Sequence, residues 1–225
     1  MDLLDPIEAS NLHKQQQRQD ARKSQHAKAL WDQSLPINDT IAASYLRGRG
    51  IIARLPDTLR FNPSCWHGPA GTRFPALIAR VDSLNGSNAP AIHRTFLEPD
   101  GLKKADVTPA KMMLGKTQGC GVVLQSAQSS APLVVCEGIE SGLSLMSMFK
   151  EAATVVATLS TSGMGSFKLP ENPGFLIMAG DNDTAGISAM VKLKERACLK
   201  GWDVMATLPT AGDWNDELLM NGVAA

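Results

Sequence analysis

Hydrophobic and polar positions fall into three textures along the chain. Residues 1–27 are polar and rich in Gln, Lys and Arg, a composition that predicts a frayed helix or a flexible arm. From Ala27 apolar residues recur. The stretch AKALWDQSLPINDTIAASYLRGRGI puts Leu30 and Trp31 on one helix. It also offers Asp39 or Thr40 as the N-cap of a second helix that runs to Leu46 and stops at Gly48 and Gly50. Short alternating runs follow, among them PALIARVDS, PAIHRTFLEPDG and GCGVVLQS, split by Gly, Pro and Asn. They predict strands and hairpins. QSAQSSAP, at 125–132, has the composition of a linker.

The third texture is different. LVVCE (133–137) reads as a short buried strand, SGLSLMSMFK as a helix, ATVVATL (153–159) as a second strand and GFLIMAGDND as the run-out of a third. AGISAMVKLKERACLKG is a helix closed by Gly201, and DVMATL (203–208) a fourth strand. Strands alternating with helices predict a mostly parallel four-stranded α/β sheet with flanking helices. The chain thus divides into an arm or helix (1–27), a smaller α+β domain (28–124), a linker (125–131) and an α/β domain (132–225).

Composition narrows the class. The 225 residues carry 22 Lys+Arg and 22 Asp+Glu and are 44% hydrophobic, which excludes collagen, coiled coil and wholesale disorder. No run approaches the roughly 20 apolar residues of a membrane span, and the N-terminus has no apolar signal core; a cytoplasmic protein without a membrane partner is expected. The zero net charge hides an asymmetry. Residues 1–124 hold 16 Lys+Arg against 11 Asp+Glu, and 125–225 hold 6 against 11, so the halves carry +5 and −5. A basic half attracts a polyanion, and an acidic half holds cations that act on it. Cys65, Cys120, Cys136 and Cys198 contain no C-x-x-C pair, so neither a disulfide framework nor a zinc site is expected.

In a parallel α/β sheet chemistry sits at the carboxyl ends of the strands. Strand one runs into Glu137-Gly138, with Glu140 three residues on. Strand two runs into Ser160-Thr161-Ser162-Gly163-Met164-Gly165, where small residues let backbone N–H groups approach a phosphate. Gly138, Ser162, Gly163 and Gly165 are the phosphate-binding candidates. Strand three ends in Gly180-Asp181-Asn182-Asp183, and strand four leads to Gly212-Asp213-Trp214-Asn215-Asp216. Acids after three of four strands suit a hard divalent cation, which takes one or two carboxylates and leaves its other positions to water and phosphate. Asp181 and Asp183 reach a common centre through a turn, and Glu137 stands ready as a ligand or base from the neighbouring strand. Each has a purely structural alternative. Asp183 and Asp213 stand where helix N-caps belong, and Glu137 where an exposed loop residue would do.

Two motifs fail. Asp181-Asn182-Asp183-Thr184-Ala185-Gly186 begins like a calcium loop, but Ala185 replaces a ligand and Lys192 the closing Glu. Ala110-Lys111-Met112-Met113-Leu114-Gly115-Lys116-Thr117 resembles a degenerate P-loop, yet no apolar strand leads into it and Gly119-Cys120-Gly121 interrupts any following helix.

Glu137-Gly138, the loop ending at Gly163-Met164-Gly165, and Asp181-x-Asp183 with Gly186 resemble the Toprim domain of DnaG-type primases, topoisomerases and OLD-type nucleases. CEGIESGLSL and AGDNDTAGISA are most similar to phage and plasmid primases. Upstream, ASYLRGRGI, LPDTLRFNP, FPALIARV, IHRTFLEPDGLKKA and KMMLG resemble the segment that precedes Toprim in that group, where it forms the basic half of the catalytic core. The resemblance implies that Glu137, Asp181 and Asp183 are catalytic acids binding Mg²⁺ or Mn²⁺, with Asp213 a further metal-binding candidate. His93, Arg94, Lys104, Lys111 and Lys116 are candidates, on charge, for contacting the template or nucleotide phosphates.

The implied activity is that of a DNA primase, using nucleoside triphosphates to make short primers on single-stranded DNA. A replicative helicase or another replication protein is the implied protein partner. The alternatives are a Toprim nuclease at the same metal site and a non-catalytic replication-accessory protein that binds nucleic acid. A topoisomerase is disfavoured, because Tyr45 is the only tyrosine and lies in an expected helix.

Overall fold

The computed structural model describes residues 6–86, 88–149, 152–210 and 212–221. The first texture is helical throughout. Helix α1, Pro6–Asp32, passes without a break across the expected boundary at residue 27 and takes Leu30 and Trp31 with it. β1 is Leu35–Pro36 and α2 is Ile41–Gly48. Of the two expected caps, Thr40 serves, accepting the Ala43 amide at 3.4 Å. Asp39 turns the chain at a φ of 59°.

β2 (Leu59–His67), β3 (Thr72–Arg80), β4 (Ile92–Phe96) and β5 (Lys111–Leu114) complete an antiparallel sheet in the order β1-β2-β3-β4-β5. Its two faces alternate residue by residue. Ala76, Ile78, Ile92 and Phe96 pack on one side with Ala27 of α1. Leu77 and Ala79 face the other way, into a larger core. The KMML run, unsuited to a P-loop, is itself strand β5.

The second sheet is built from β6 (Val122–Gln125), β7 (Leu133–Cys136), β8 (Thr154–Ala157), β9 (Phe175–Ala179) and β10 (Asp203–Thr207), in the order β10-β9-β7-β8-β6. The four expected strands are parallel to one another. The fifth, β6, is a correction to the four-stranded expectation. GCGVVLQS pairs antiparallel with β8. A Cβ on Gly121 would come within 2.5 Å of Val156 Cγ1, so the glycine lets the incoming chain lie directly against β8.

β7 is buried at all four positions, as a central parallel strand should be. Val134 and Cys136 join α3 (Ile139–Phe149) and α6 (Trp214–Met220) on one face. Leu133 and Val135 join α4 (Thr161–Ser166) and α5 (Thr184–Leu199) on the other. The first of these cores also holds Tyr45, Leu46, Leu59 and Leu77, so the two sheets share one hydrophobic interior. Among the described residues no helix is long and apolar enough to cross a membrane.

Candidate active site

Strands β7, β9 and β10 are parallel neighbours, so the residues just beyond their carboxyl ends share one edge of the sheet. Glu137 follows β7, Asp181 and Asp183 follow β9, and Asp213 follows β10. The loops are clipped together by backbone. The Asn182 amide donates to Gly212 O (2.9 Å), its side chain to Pro209 O (3.1 Å), and Trp214 Nε1 to Gly180 O (3.0 Å).

The expected acids and the structural alternatives coexist. Asp183 is the N-cap of α5, with Oδ1 accepting the Gly186 amide at 2.7 Å, and this leaves Oδ2 uncommitted by that bond. Asp213 caps α6 through the Asn215 and Asp216 amides, and Asp216 returns the bond in a capping box. Glu137 is 8% exposed and so is not a loop residue in solvent. Glu137 Oε1 and Asp181 Oδ1 are both buried without a hydrogen-bond partner.

That is a costly arrangement for two carboxylates, and their acidities reflect it. Burial, then the charges of Asp181 and Asp183, push the Glu137 carboxyl up to about 7. Burial, then Asp213 and Asp183, push Asp181 up to about 6. Gly186 makes room for the pair, since a Cβ there would stand 2.5 Å from Asp181 O and 3.0 Å from Glu137 Oε1.

Orphaned, negatively charged oxygens are what a hard divalent cation would satisfy, so the residues fit such an ion. Among the described residues no group of three or more His, Cys, Asp or Glu side chains is placed to hold a metal ion. Magnesium does not require one, because it usually keeps several waters and takes few protein carboxylates.

The candidate phosphate loop is helical. Residues 161–166 coil into helix α4, capped by Ser160, whose Oγ accepts the Gly163 amide at 3.0 Å. Gly163 is there because a Cβ would collide with Thr158 O. Ser162 Oγ bonds Ser160 Oγ, Gly165 lies in α4 against Lys192, and Gly138 opens α3.

Facing the acids, the first sheet supplies cations. Lys111 on β5 and Lys104 in the loop after β4 reach Glu140, at 3.4 and 3.2 Å, and Tyr45 donates to the same carboxylate at 2.9 Å. Burial alone would raise Glu140, but Lys111 and Lys104 outweigh it and hold the carboxyl well below the usual range. Lys104 is lowered by burial and by Lys111, which is consistent with two ammonium groups sharing one carboxylate. His93 is buried beside them and pushed down to about 4, mainly by burial and then by Lys111, so it is neutral at pH 7.

Arg94, the next residue on β4, projects to the α1 side. It lies over the Phe96 ring at 5.6 Å and is 9% exposed, away from the acids. Lys116 lies exposed beyond β5. Arg49, Glu140 and Tyr45 are participants that sequence reasoning did not assign. Arg49 follows α2, and its carbonyl is held by Asn215 Nδ2 of α6 at 2.9 Å. The sequence signal for Glu140 was its position three residues after Glu137; Tyr45 carried none beyond being the only tyrosine.

Residues 132–224 match the family model of the Toprim domain. This is a Toprim domain. Residues 21–124, ahead of it, match a domain of unknown function, DUF7146. No curated protein matches the chain by sequence.

Among solved structures, a DNA primase domain from Pseudomonas aeruginosa aligns with a TM-score of 0.55 and 18% identity, over 88% of this chain and 74% of that one. The DnaG catalytic core aligns with a TM-score of 0.55 and 17% identity, over 89% and 76%. The Aquifex aeolicus primase zinc-binding and RNA polymerase domains align with a TM-score of 0.55 and 14% identity, over 90% of this chain and 58% of that one. The Toprim domain and the preceding antiparallel sheet therefore share the fold of primase catalytic cores. Toprim domains in general bind divalent metals.

Proposed function

We propose that the chain is a primase-type nucleotidyltransferase core that makes short primers on single-stranded DNA. The observation that carries this reading is the opposition of two surfaces. Unpartnered Glu137 and Asp181 oxygens lie at the sheet edge, and Lys111 of the other sheet, which pairs with Glu140 alongside Lys104, is near enough for its charge to act on Asp181. Negative charge on one wall suits a divalent cation, and positive charge on the other suits a triphosphate.

In the transfer, the 3′-hydroxyl oxygen bonds to the α-phosphorus, the bond to the bridging oxygen breaks, and pyrophosphate leaves while the hydroxyl proton passes to solvent or a carboxylate. Glu137, Asp181 and the free oxygen of Asp183 would hold the cation, with Asp213 beside them. A cation there neutralises phosphate charge and lowers the pKa of the attacking hydroxyl. Lys111 and Lys104 bind the triphosphate, and Glu140 holds both lysines in position until it arrives.

The test is primer synthesis on single-stranded DNA with labelled nucleoside triphosphates and Mg²⁺ or Mn²⁺, comparing the wild type with Asp181→Asn. Short products that the variant fails to make support the reading. Shortening of the DNA without nucleotides, in an Asp181-dependent manner, replaces it with a nuclease at the same site. DNA binding with neither reaction replaces it with an accessory role.

A further inference from the structure

Helix α1 is longer than its packing requires. Ser24 and Ala27 are its buried side chains among those described, with Leu30 and Trp31 half-buried, all in its last turns. From Ser10 to Gln19 every residue is exposed. The free turns are rich in Gln, with Lys14 and Arg18, and these residue types hold a helix without tertiary help better than most residues do.

At about 100° per residue, Asp20, Ser24, Ala27 and Trp31 define the packed side. Lys14, Arg18, Arg22 and His26 follow one another at i, i+4 on the opposite side, flanked by Asn11, Gln15 and Gln25. Asp20, the one acid between residues 10 and 31, lies on the packed side and accepts a bond from Gln16 at 2.9 Å. Among the described residues Lys14, Arg18 and Arg22 enter no ion pair.

Successive cations in the row are about 6 Å apart along the axis. That is close to the spacing of alternate phosphates on a strand that rises roughly 3.4 Å per nucleotide. Leu12, the large apolar side chain of these free turns, lies about a quarter turn off the row. The row itself has no aromatic or apolar anchor of the kind that dominates protein–protein interfaces. Cations and amides in line, without anchors or stacking rings, are suited to phosphate contacts.

Position supports the same ligand. β5 is the edge strand of its sheet. Its Met112 and Leu114 pack toward the α1 side, and Lys111 reaches the cleft from the opposite face. α1 packs against this edge strand, so a nucleic-acid strand that passed Lys111 and rounded the edge would run toward the helix.

We propose that the outer face of α1, through Lys14, Arg18 and Arg22, is a second contact for the phosphate backbone of single-stranded DNA outside the catalytic cleft. It rests on the reading of the chain as an enzyme of nucleic acid, but it is measured without turnover. The experiment is fluorescence anisotropy of a labelled single-stranded oligonucleotide and of its duplex, over a series of salt concentrations, with wild type and a Lys14→Gln/Arg18→Gln/Arg22→Gln variant. Gln preserves helix propensity, and circular dichroism verifies the helix.

The slope of log affinity against log salt for single-stranded DNA is expected to fall by about 2 in magnitude, from roughly 0.7 per lost phosphate contact. The duplex should be less affected. An unchanged slope overturns the proposal, as does a wild type that does not bind, or a loss at least as large on duplex. A wild type that makes no primers but shows the expected slope change removes the primase reading and leaves this contact standing.

Discussion

At the scale of single residues, the site is organised by what is left unsatisfied. Glu137 and Asp181 each keep a buried oxygen without a partner, and each is surrounded by further negative charge. Both hold a proton more tightly folded than at the ordinary values of 4.5 and 3.8, with folded values of about 7 and about 6. The folded state therefore binds more protons than the unfolded state between those limits, and stability falls as pH rises through them.

We expect the melting temperature of the cation-free protein to drop by several degrees from pH 4.5 to pH 7.5. Asp181→Asn should flatten the profile and raise the melting temperature at the upper end, and Mg²⁺ should stabilise the wild type there more than the variant. Parallel profiles for the two proteins, by scanning calorimetry, would show that these carboxyls do not repel one another in the fold.

At the scale of elements, the acids double as the punctuation of helices. Asp183 begins α5 and Asp213 begins α6, so under the proposed function the same residue serves as a helix cap and as a metal-facing carboxylate. The two roles separate by substitution, because Asn caps about as well as Asp whereas Ala does not. Asp213→Ala should cost about 1 kcal/mol by urea unfolding, and Asp213→Asn only a few tenths. Primer synthesis should fall about tenfold in both, in line with one lost charge interaction of roughly 1.4 kcal/mol. Full activity in Asp213→Asn would reduce Asp213 to a cap. The same logic applies to α4, where the small residues of the candidate phosphate loop wind a short helix around the Ser160 cap, with Gly163 fitted against Thr158 O.

At the scale of the whole molecule, the two sheets are coupled by a common core and by Glu140. That carboxylate is 4% exposed and gathers Tyr45 from α2, Lys111 from β5 and Lys104 from the preceding loop. Removing its charge leaves two lysines unpaired at the junction. Glu140→Gln should cost about 2 kcal/mol, below the usual penalty for breaking a fully buried pair because both lysines retain water contact. Loss of nucleotide affinity should accompany it, read as a raised KM for nucleoside triphosphate. A variant with wild-type stability and KM would show that Glu140 neither ties the sheets together nor positions the lysines.

Much of this was legible in the residues. Alternation and apolar runs marked β3, β4 and all four parallel strands, because local periodicity reports which positions a strand must bury. The acids could be ranked together because a parallel sheet brings every strand's carboxyl end to one edge, whatever the loops between. Tertiary structure alone decided the rest. Val122–Gln125 is equally apolar in either sheet, and only pairing with β8 assigned it to the second.

His93 and Arg94 are adjacent and both basic, but the strand's two-residue period sends one to the cleft and the other to the α1 side. Glu140 reads as an ordinary acid in the first turn of a helix until Tyr45, 95 residues earlier, and two lysines close over it. Periodicity and strand ends are properties of a segment. Pairing partners, burial of charge and the choice of face depend on segments far apart in the chain, so they exist only once those segments have met.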